Sequence, residues 1–200
     1  MPGLSLGDLV ANGTMSAAMG ATLGRVAEAH RSYLVIALPR LAGKSTVGKA
    51  MLDVARAKKM PIRELGEDGT DVDALAREAR GGYLYVPEVS RYPVTEGYVW
   101  GAPVRAAFAA IKDDTALSTA LHADSAEDAL EILRSNRIAA GDLTYLDVIV
   151  HIRSLGEDWR NPTGRKVADV NELVEGKLRL LHRWDEKTDT FEDIAKPTRF

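Results

Sequence analysis

Tyr33-Leu34-Val35-Ile36-Ala37-Leu38 followed by Pro39-Arg40-Leu41-Ala42-Gly43-Lys44-Ser45-Thr46 is the stretch that decides the fold. Its first six residues form an unbroken β-favouring run, the pattern of a strand covered on both faces in a parallel sheet. Its last residues open a helical stripe: Val47, Met51, Val54 and Ala55 recur at helical spacing between Lys44 and Lys58, with Lys49, Asp53 and Arg56 on the opposite side. Strand, short loop, helix is therefore the local architecture. Working outward, Ile62 to Leu65 reads as a second strand, Asp71 to Arg80 as a helix and Tyr83 to Val86 as a third strand. The alternation predicts an α/β fold with a mostly parallel sheet flanked by helices.

Toward the N-terminus, Ser5 with Asp8 caps a short helix, and Ser16 starts a longer one whose stripe is Met19, Leu23, Val26, Ala27 and His30. Residues 1–32 are accordingly expected to be a helical lead-in packed on a domain spanning residues 33–200. Downstream, Val94 to Ile111 reads as a helix broken near Gly101 and Pro103. Ala116 to Leu121 is strand-like, and Ser125 with Asp128 caps a helix that turns Ala129, Leu130 and Leu133 inward. Leu146, Val148, Val150 and Ile152 alternate as a strand does. Val167 to Val174 and Leu178 to Trp184 form an antiparallel hairpin turned at Glu175-Gly176.

Composition narrows the function classes. In 200 residues, 46% hydrophobic and 28% charged, 26 Lys and Arg meet 29 Asp and Glu for a formal charge of -3. Such a chain buries a core, and it has no global positive field to hold nucleic acid or an anionic membrane. Cysteine is absent, which excludes disulfides, thiolate catalysis and Cys-ligated metals. No apolar stretch approaches the length of a membrane span, so a cytoplasmic chain without direct membrane insertion is expected.

The chemistry concentrates at Gly43-Lys44-Ser45-Thr46. A phosphate loop needs backbone N–H groups and a helix N-terminus converging on an anion between a strand and a helix. Lys44 stands where the β and γ phosphates of ATP would be met, and Ser45 where magnesium would be. Six positions before the lysine the motif carries glycine, and here that residue is Leu38. Pro39 has no N–H to give, and the Cβ of Leu41 disfavours positive φ, so the loop is expected to depart from a phosphate-cradling shape. In the reading of a non-hydrolysing relative, Lys44 is expected to be only a partly solvated charge at a helix start. Glu88, after an apolar strand, stands where such proteins hold magnesium or orient a water. Glu67-Asp68 is a further acidic pair, readable equally as a turn. His122 lies between a strand and a capped helix, and His30, His122, His151 and His182 are too widely spaced to suggest a metal site.

These residues resemble the secretion ATPase superfamily that powers type II and type IV secretion and pilus assembly. Leu117-Ser118-Thr119-Ala120-Leu121-His122-Ala123-Asp124-Ser125 resembles its histidine box, Leu-Ser-Thr-x-His-Ala-Asn-Ser, with Leu121 as an extra residue. Tyr83 to Val89 resembles its Walker B strand, with Pro87 replacing a glycine, Glu88 matching the acid and Arg91 one place late; Ile62 to Asp68 resembles a reduced acidic box. Ser5 to Val10 looks like the helix before the ATPase core, and Gly164 to Asp185 like the hairpin of the tight-adherence pilus branch. The resemblance implies a P-loop NTPase (RecA-like) core, ATP and magnesium at Gly43, Lys44, Ser45 and Thr46, metal contacts from Ser45 and Glu88, and catalytic roles for Glu88 and His122. It also implies homo-oligomers or partner chains of a secretion or pilus assembly, at the periphery of an inner-membrane complex. The family's separate N-terminal domain, which supplies arginines, has no counterpart in these residues, so a transition-state arginine is expected from this core or a neighbour.

Three readings stay open. One is an ATPase core of a secretion-type motor. The second is a non-hydrolysing relative retained as an assembly module, and the third, a small-molecule kinase, rests on Gly43-Lys44-Ser45-Thr46-Val47-Gly48-Lys49 alone.

Overall fold

The computed structural model describes residues 3–66, 71–91, 98–112 and 114–200. The chain begins with α1 (Leu6–Ala11) and α2 (Ala17–Glu28), each started by the serine the sequence singles out. Ser5 and Asp8 complete a reciprocal capping box, while Ser16 accepts the Met19 N–H. His30 leaves the α2 stripe. The helix ends at Glu28, and His30 sits at φ 56° with its ring on the Gly82 carbonyl.

Next come β1 (Tyr33–Leu38), α3 (Lys44–Ala57), β2 (Ile62–Glu64), α4 (Val72–Glu78), β3 (Gly82–Val89), β4 (Tyr98–Val99), α5 (Ala102–Ala110) and β5 (Thr115–Leu121). They are followed by α6 (Ala126–Ser135), α7 (Ala140–Leu143), β6 (Val148–Leu155), β7 (Gly164–Val174), β8 (Lys177–Asp185) and β9 (Thr190–Asp193). The helix expected from Val94 is corrected: among its described residues, Tyr98–Val99 is a short strand and the helix begins only at Ala102. Gly101, at φ 80°, turns the chain, and Pro103 falls in the first turn, where a missing N–H costs nothing and the fixed φ suits a helix start. Proline here begins a helix instead of breaking one.

The sheet runs β2-β3-β5-β1-β6-β7-β8-β9, with β4 also paired to β3. From β2 to β6 every pairing is parallel; from β6 to β9 every pairing is antiparallel. The expected hairpin is the β7–β8 pair, turned by Glu175 at φ 50° and Gly176 at φ 75°. β9 extends it. Two apolar cores lie on opposite faces. Leu34 and Ile36 of β1 join the one built with α4, α5 and α6, whereas Tyr33, Val35 and Ala37 join the one built with α1, α2 and α3. Alternation along a strand thus feeds both cores, which is why the β1 run is continuously apolar. The same holds in β6: Ile149 and His151 are buried along with Val148, Val150 and Ile152, and Leu146 precedes the strand, so the expected one-sided alternation is replaced by burial on both faces. Among the described residues no helix is long and apolar enough to cross a membrane.

Candidate functional site

Strands β3, β5 and β1 lie side by side and parallel, so their C-terminal ends open along one edge. In open α/β sheets ligands bind in the crevice beyond such ends. Glu88 is near the end of β3, His122 follows β5 and the Pro39–Gly43 loop follows β1. Lys44, the first residue of α3, reaches back beneath the loop. Its Nζ lies 3.3 Å from Glu88 Oε1 and 3.1 Å from His122 Nδ1, and His122 Nε2 lies 2.8 Å from Glu88 Oε1. The structure therefore brings Lys44, Glu88 and His122 into mutual contact across as many as 78 positions of sequence. Gly43, Ser45 and Thr46 line the same cavity, about 750 Å³, together with Arg40, Tyr85 and Tyr98. Glu67-Asp68 lies outside the described residues.

The charges in this cluster are buried ones. Lys44 is only 5% exposed, unlike the partly solvated charge expected of a non-hydrolysing relative: α3 packs against β3 and β5. Burial pushes the Lys44 ammonium pKa down, and the neighbouring Glu88 carboxylate pulls it part of the way back. Burial pushes Glu88 up, but the adjacent His122 ring and the Lys44 charge outweigh it, so its carboxyl is held below the ordinary glutamate range. An ammonium can only donate, so His122 Nδ1 accepts from Lys44 and its proton sits on Nε2; Nε2 lies at ion-pair distance from Glu88 Oε1, a buried oxygen that has no hydrogen-bond partner among the described residues. The Tyr98 hydroxyl is 3.3 Å from the same Nε2.

The loop takes an unexpected local conformation. Leu41 takes the left-handed conformation at φ 65° that its Cβ disfavours, and Gly43 follows at φ 104°. With Gly43 capping α3, the N–H groups of Gly43, Lys44 and Ser45 find no acceptor among the described residues. These N–H groups, the buried Lys44 and the hydroxyl of exposed Ser45 suit a polyphosphate. For a divalent cation Ser45 and Glu88 offer oxygens at the cavity, which Thr46 and Glu64 also line, and no cluster of three or more His, Asp or Glu that could hold a metal occurs among the described residues. That set fits magnesium, which keeps several waters and takes the rest of its shell from phosphate. On the other side of the loop a second cavity, about 580 Å³, is lined by Leu9, Thr14, Val47, Ile152, Leu155 and Arg165.

The fold has a solved counterpart. The VirB11 ATPase of the Brucella suis type IV secretion system, determined in complex with sulphate, superposes with a TM-score of 0.56 over 82% of this chain at 16% identity. The chain covers 54% of that protein. At this identity the likeness is one of fold alone: a mostly parallel sheet flanked by helices. No protein-family model matches the sequence, and no curated protein matches it.

Three lining residues escaped the sequence reading. Arg40 stands inside the quoted loop and could have been noted from its position alone. Tyr98 reaches the site because β4 pairs with β3 with Tyr98 opposite Glu88, a register that no local pattern signals. Arg165 comes from β7 and donates through Nε to the Leu41 carbonyl at 3.1 Å, which only the folded sheet makes possible.

Proposed function

We propose that this chain is the ATP-binding and ATP-hydrolysing core of a motor-like protein of the secretion or pilus-assembly kind. The observation that carries the reading is the contact of Lys44, Glu88 and His122 beside a loop whose Gly43, Lys44 and Ser45 N–H groups meet no acceptor among the described residues. Lys44 meets the β and γ phosphates, and the N–H groups of Gly43, Lys44 and Ser45 bind their oxygens. Glu88, ionised because His122 and Lys44 hold its pKa down, orients the attacking water. His122, whose Nε2 lies 2.8 Å from that carboxylate, senses the γ-phosphate when Lys44 is drawn from Nδ1. Ser45 and Glu88 would hold magnesium, which supplies charge neutralisation on the phosphates. The second cavity, with a mixed lining of Leu9, Val47 and Ile152 beside threonine hydroxyls, would take the nucleoside.

In this reading residues 1–32 are a lead-in to one ATPase-like domain, and the chain works in the cytoplasm as a homo-oligomer or with partner chains at an inner-membrane assembly. A second reading, a non-hydrolysing relative used as an assembly module, is favoured by the loop itself: Pro39 offers no N–H and Leu41 holds a costly conformation. A thermal-shift titration separates them. Saturation with Mg·ATP at 100 times its dissociation constant adds about 2.7 kcal/mol, a melting shift of about 5–10 °C for a chain of this size. Glu88→Gln is expected to lose hydrolysis while keeping a reduced shift, because it removes one contact to magnesium and leaves the phosphate contacts in place. No shift with Mg·ATP, Mg·ADP or a non-hydrolysable analogue removes the ATPase reading.

A further inference from the structure

Leu41 poses a physical question: what keeps a leucine at φ 65° in a loop that lacks the usual glycines? Packing does not, because the Leu41 side chain is 62% exposed. The contact that fixes its peptide unit comes from 124 positions away, where Arg165 Nε donates to the Leu41 carbonyl at 3.1 Å. The same side chain also covers the second left-handed residue. A Cβ at Gly43 would lie 3.1 Å from Arg165 Cδ, so the arginine stem is laid directly over that glycine. Arg165 sits near the start of β7, opposite Ser154 of β6, and β6 is hydrogen-bonded to β1, the strand from which the loop springs. The donor is thus carried on the same rigid sheet as the loop it holds.

We infer that Arg165 is a positioning residue for the phosphate loop: it clamps Leu41 and Gly43 in the left-handed conformations that aim the Gly43, Lys44 and Ser45 N–H groups at one anion, doing for this loop what glycine content does in others. The inference rests on the nucleotide reading for its functional consequence, while the clamp itself is a property of the ligand-free chain. An arginine suits the task because Nε belongs to a planar fork reached part-way along the side chain, whereas a lysine carries its only donors at the tip of a flexible stem. Once the clamp is removed, Leu41 relaxes toward right-handed φ, and the fraction of chains with a binding-competent loop falls. The apparent dissociation constant rises in proportion, by about tenfold for the usual left-handed penalty of a non-glycine residue.

The test uses the full chain and four forms: wild type, Arg165→Ala, Leu41→Gly, and the two changes combined. Mg·ATP affinity is measured by calorimetry, and far-UV circular dichroism with a thermal melt checks folding. Arg165→Ala is expected to weaken Mg·ATP about tenfold, and Leu41→Gly in the same chain to recover most of the loss, because glycine takes positive φ without a clamp. Arg165→Lys is expected to behave as Arg165→Ala. A purely structural role for Arg165 would not be rescued at Leu41. Wild-type affinity in Arg165→Ala, or a combined variant no better than Arg165→Ala, overturns the inference. A ligand-free readout runs beside it: trypsin cleavage after Arg40 is expected to be several-fold faster in Arg165→Ala than in wild type, and an unchanged rate also overturns the clamp. If wild type binds no Mg·ATP while cleavage still accelerates, the nucleotide reading has failed and the clamp stands as a device that orders this loop.

Discussion

Replacing Lys44 by alanine tests the site before any ligand is added. The substitution removes a cation from a helix N-terminus, where the macrodipole opposes it, and on that ground alone would stabilise by about 0.3–1 kcal/mol. The structure reverses the sign. Lys44 Nζ lies 3.3 Å from Glu88 Oε1 and 3.1 Å from His122 Nδ1, with the Lys44 and Glu88 side chains only 5% and 12% exposed. Stripping one member from a buried pair costs about 3–5 kcal/mol when the other is left alone. Glu88 is not left alone, since His122 Nε2 remains 2.8 Å away, so about 1–3 kcal/mol is the relevant range for a partly satisfied charged group. Subtracting the dipole relief leaves a net loss between about 0 and 2.7 kcal/mol with its centre near about 1.4 kcal/mol, or about 3–5 °C in melting temperature at that centre for a chain of this length. The pH dependence follows from Glu88. Its folded pKa lies below the ordinary value, so its contribution is complete above about pH 4.3 and is lost as pH falls through the folded pKa. Lys44→Ala removes one cause of that depression, so the gap between the two proteins is largest near neutrality and narrows in acid. Calorimetric melts at pH 7 and pH 3 read both quantities. A variant as stable as wild type at pH 7, or a gap that is the same at both pH values, would refute the reasoning.

Two further substitutions probe the frame around the site. Glu172, fully buried, receives the Thr198 and Arg199 N–H groups at 2.9 Å each and Arg179 at 3.1 Å, and these hydrogen bonds hold its carboxyl below the ordinary range although burial pushes it up. Glu172→Gln is expected to lose about 2–3 kcal/mol in urea unfolding at pH 7, the difference fading as pH falls through the depressed pKa; equal midpoints would contradict this. Gly82→Ala is expected to cost about 2–3 kcal/mol, because a Cβ there would come 1.9 Å from the Pro61 carbonyl oxygen, a backbone atom that cannot rotate away. A melt unchanged by that alanine would show that β2 and β3 approach less closely than this.

Wherever a pattern is local, the sequence carries it. The caps at Ser5, Ser16 and Ser125 appear in the structure, since each hydroxyl needs only an N–H three residues on. The Glu175-Gly176 turn and the doubly covered β1 run are legible for the same reason, as is the strand–loop–helix setting of Gly43-Lys44-Ser45. Tertiary structure alone decides the rest. Strand order places β5 between β3 and β1, which makes neighbours of Glu88, His122 and Lys44 and buries the lysine. It also sets Tyr98 opposite Glu88, through a two-residue strand too short for any periodicity to announce. The left-handed Leu41 contradicts local preference because a hydrogen bond from Arg165 acts on its carbonyl from another strand. Local energies bias φ, ψ and side-chain facing one residue at a time. Which strands lie side by side, and therefore which distant charges share a crevice, follows from how the two cores are buried together, a property of the whole chain.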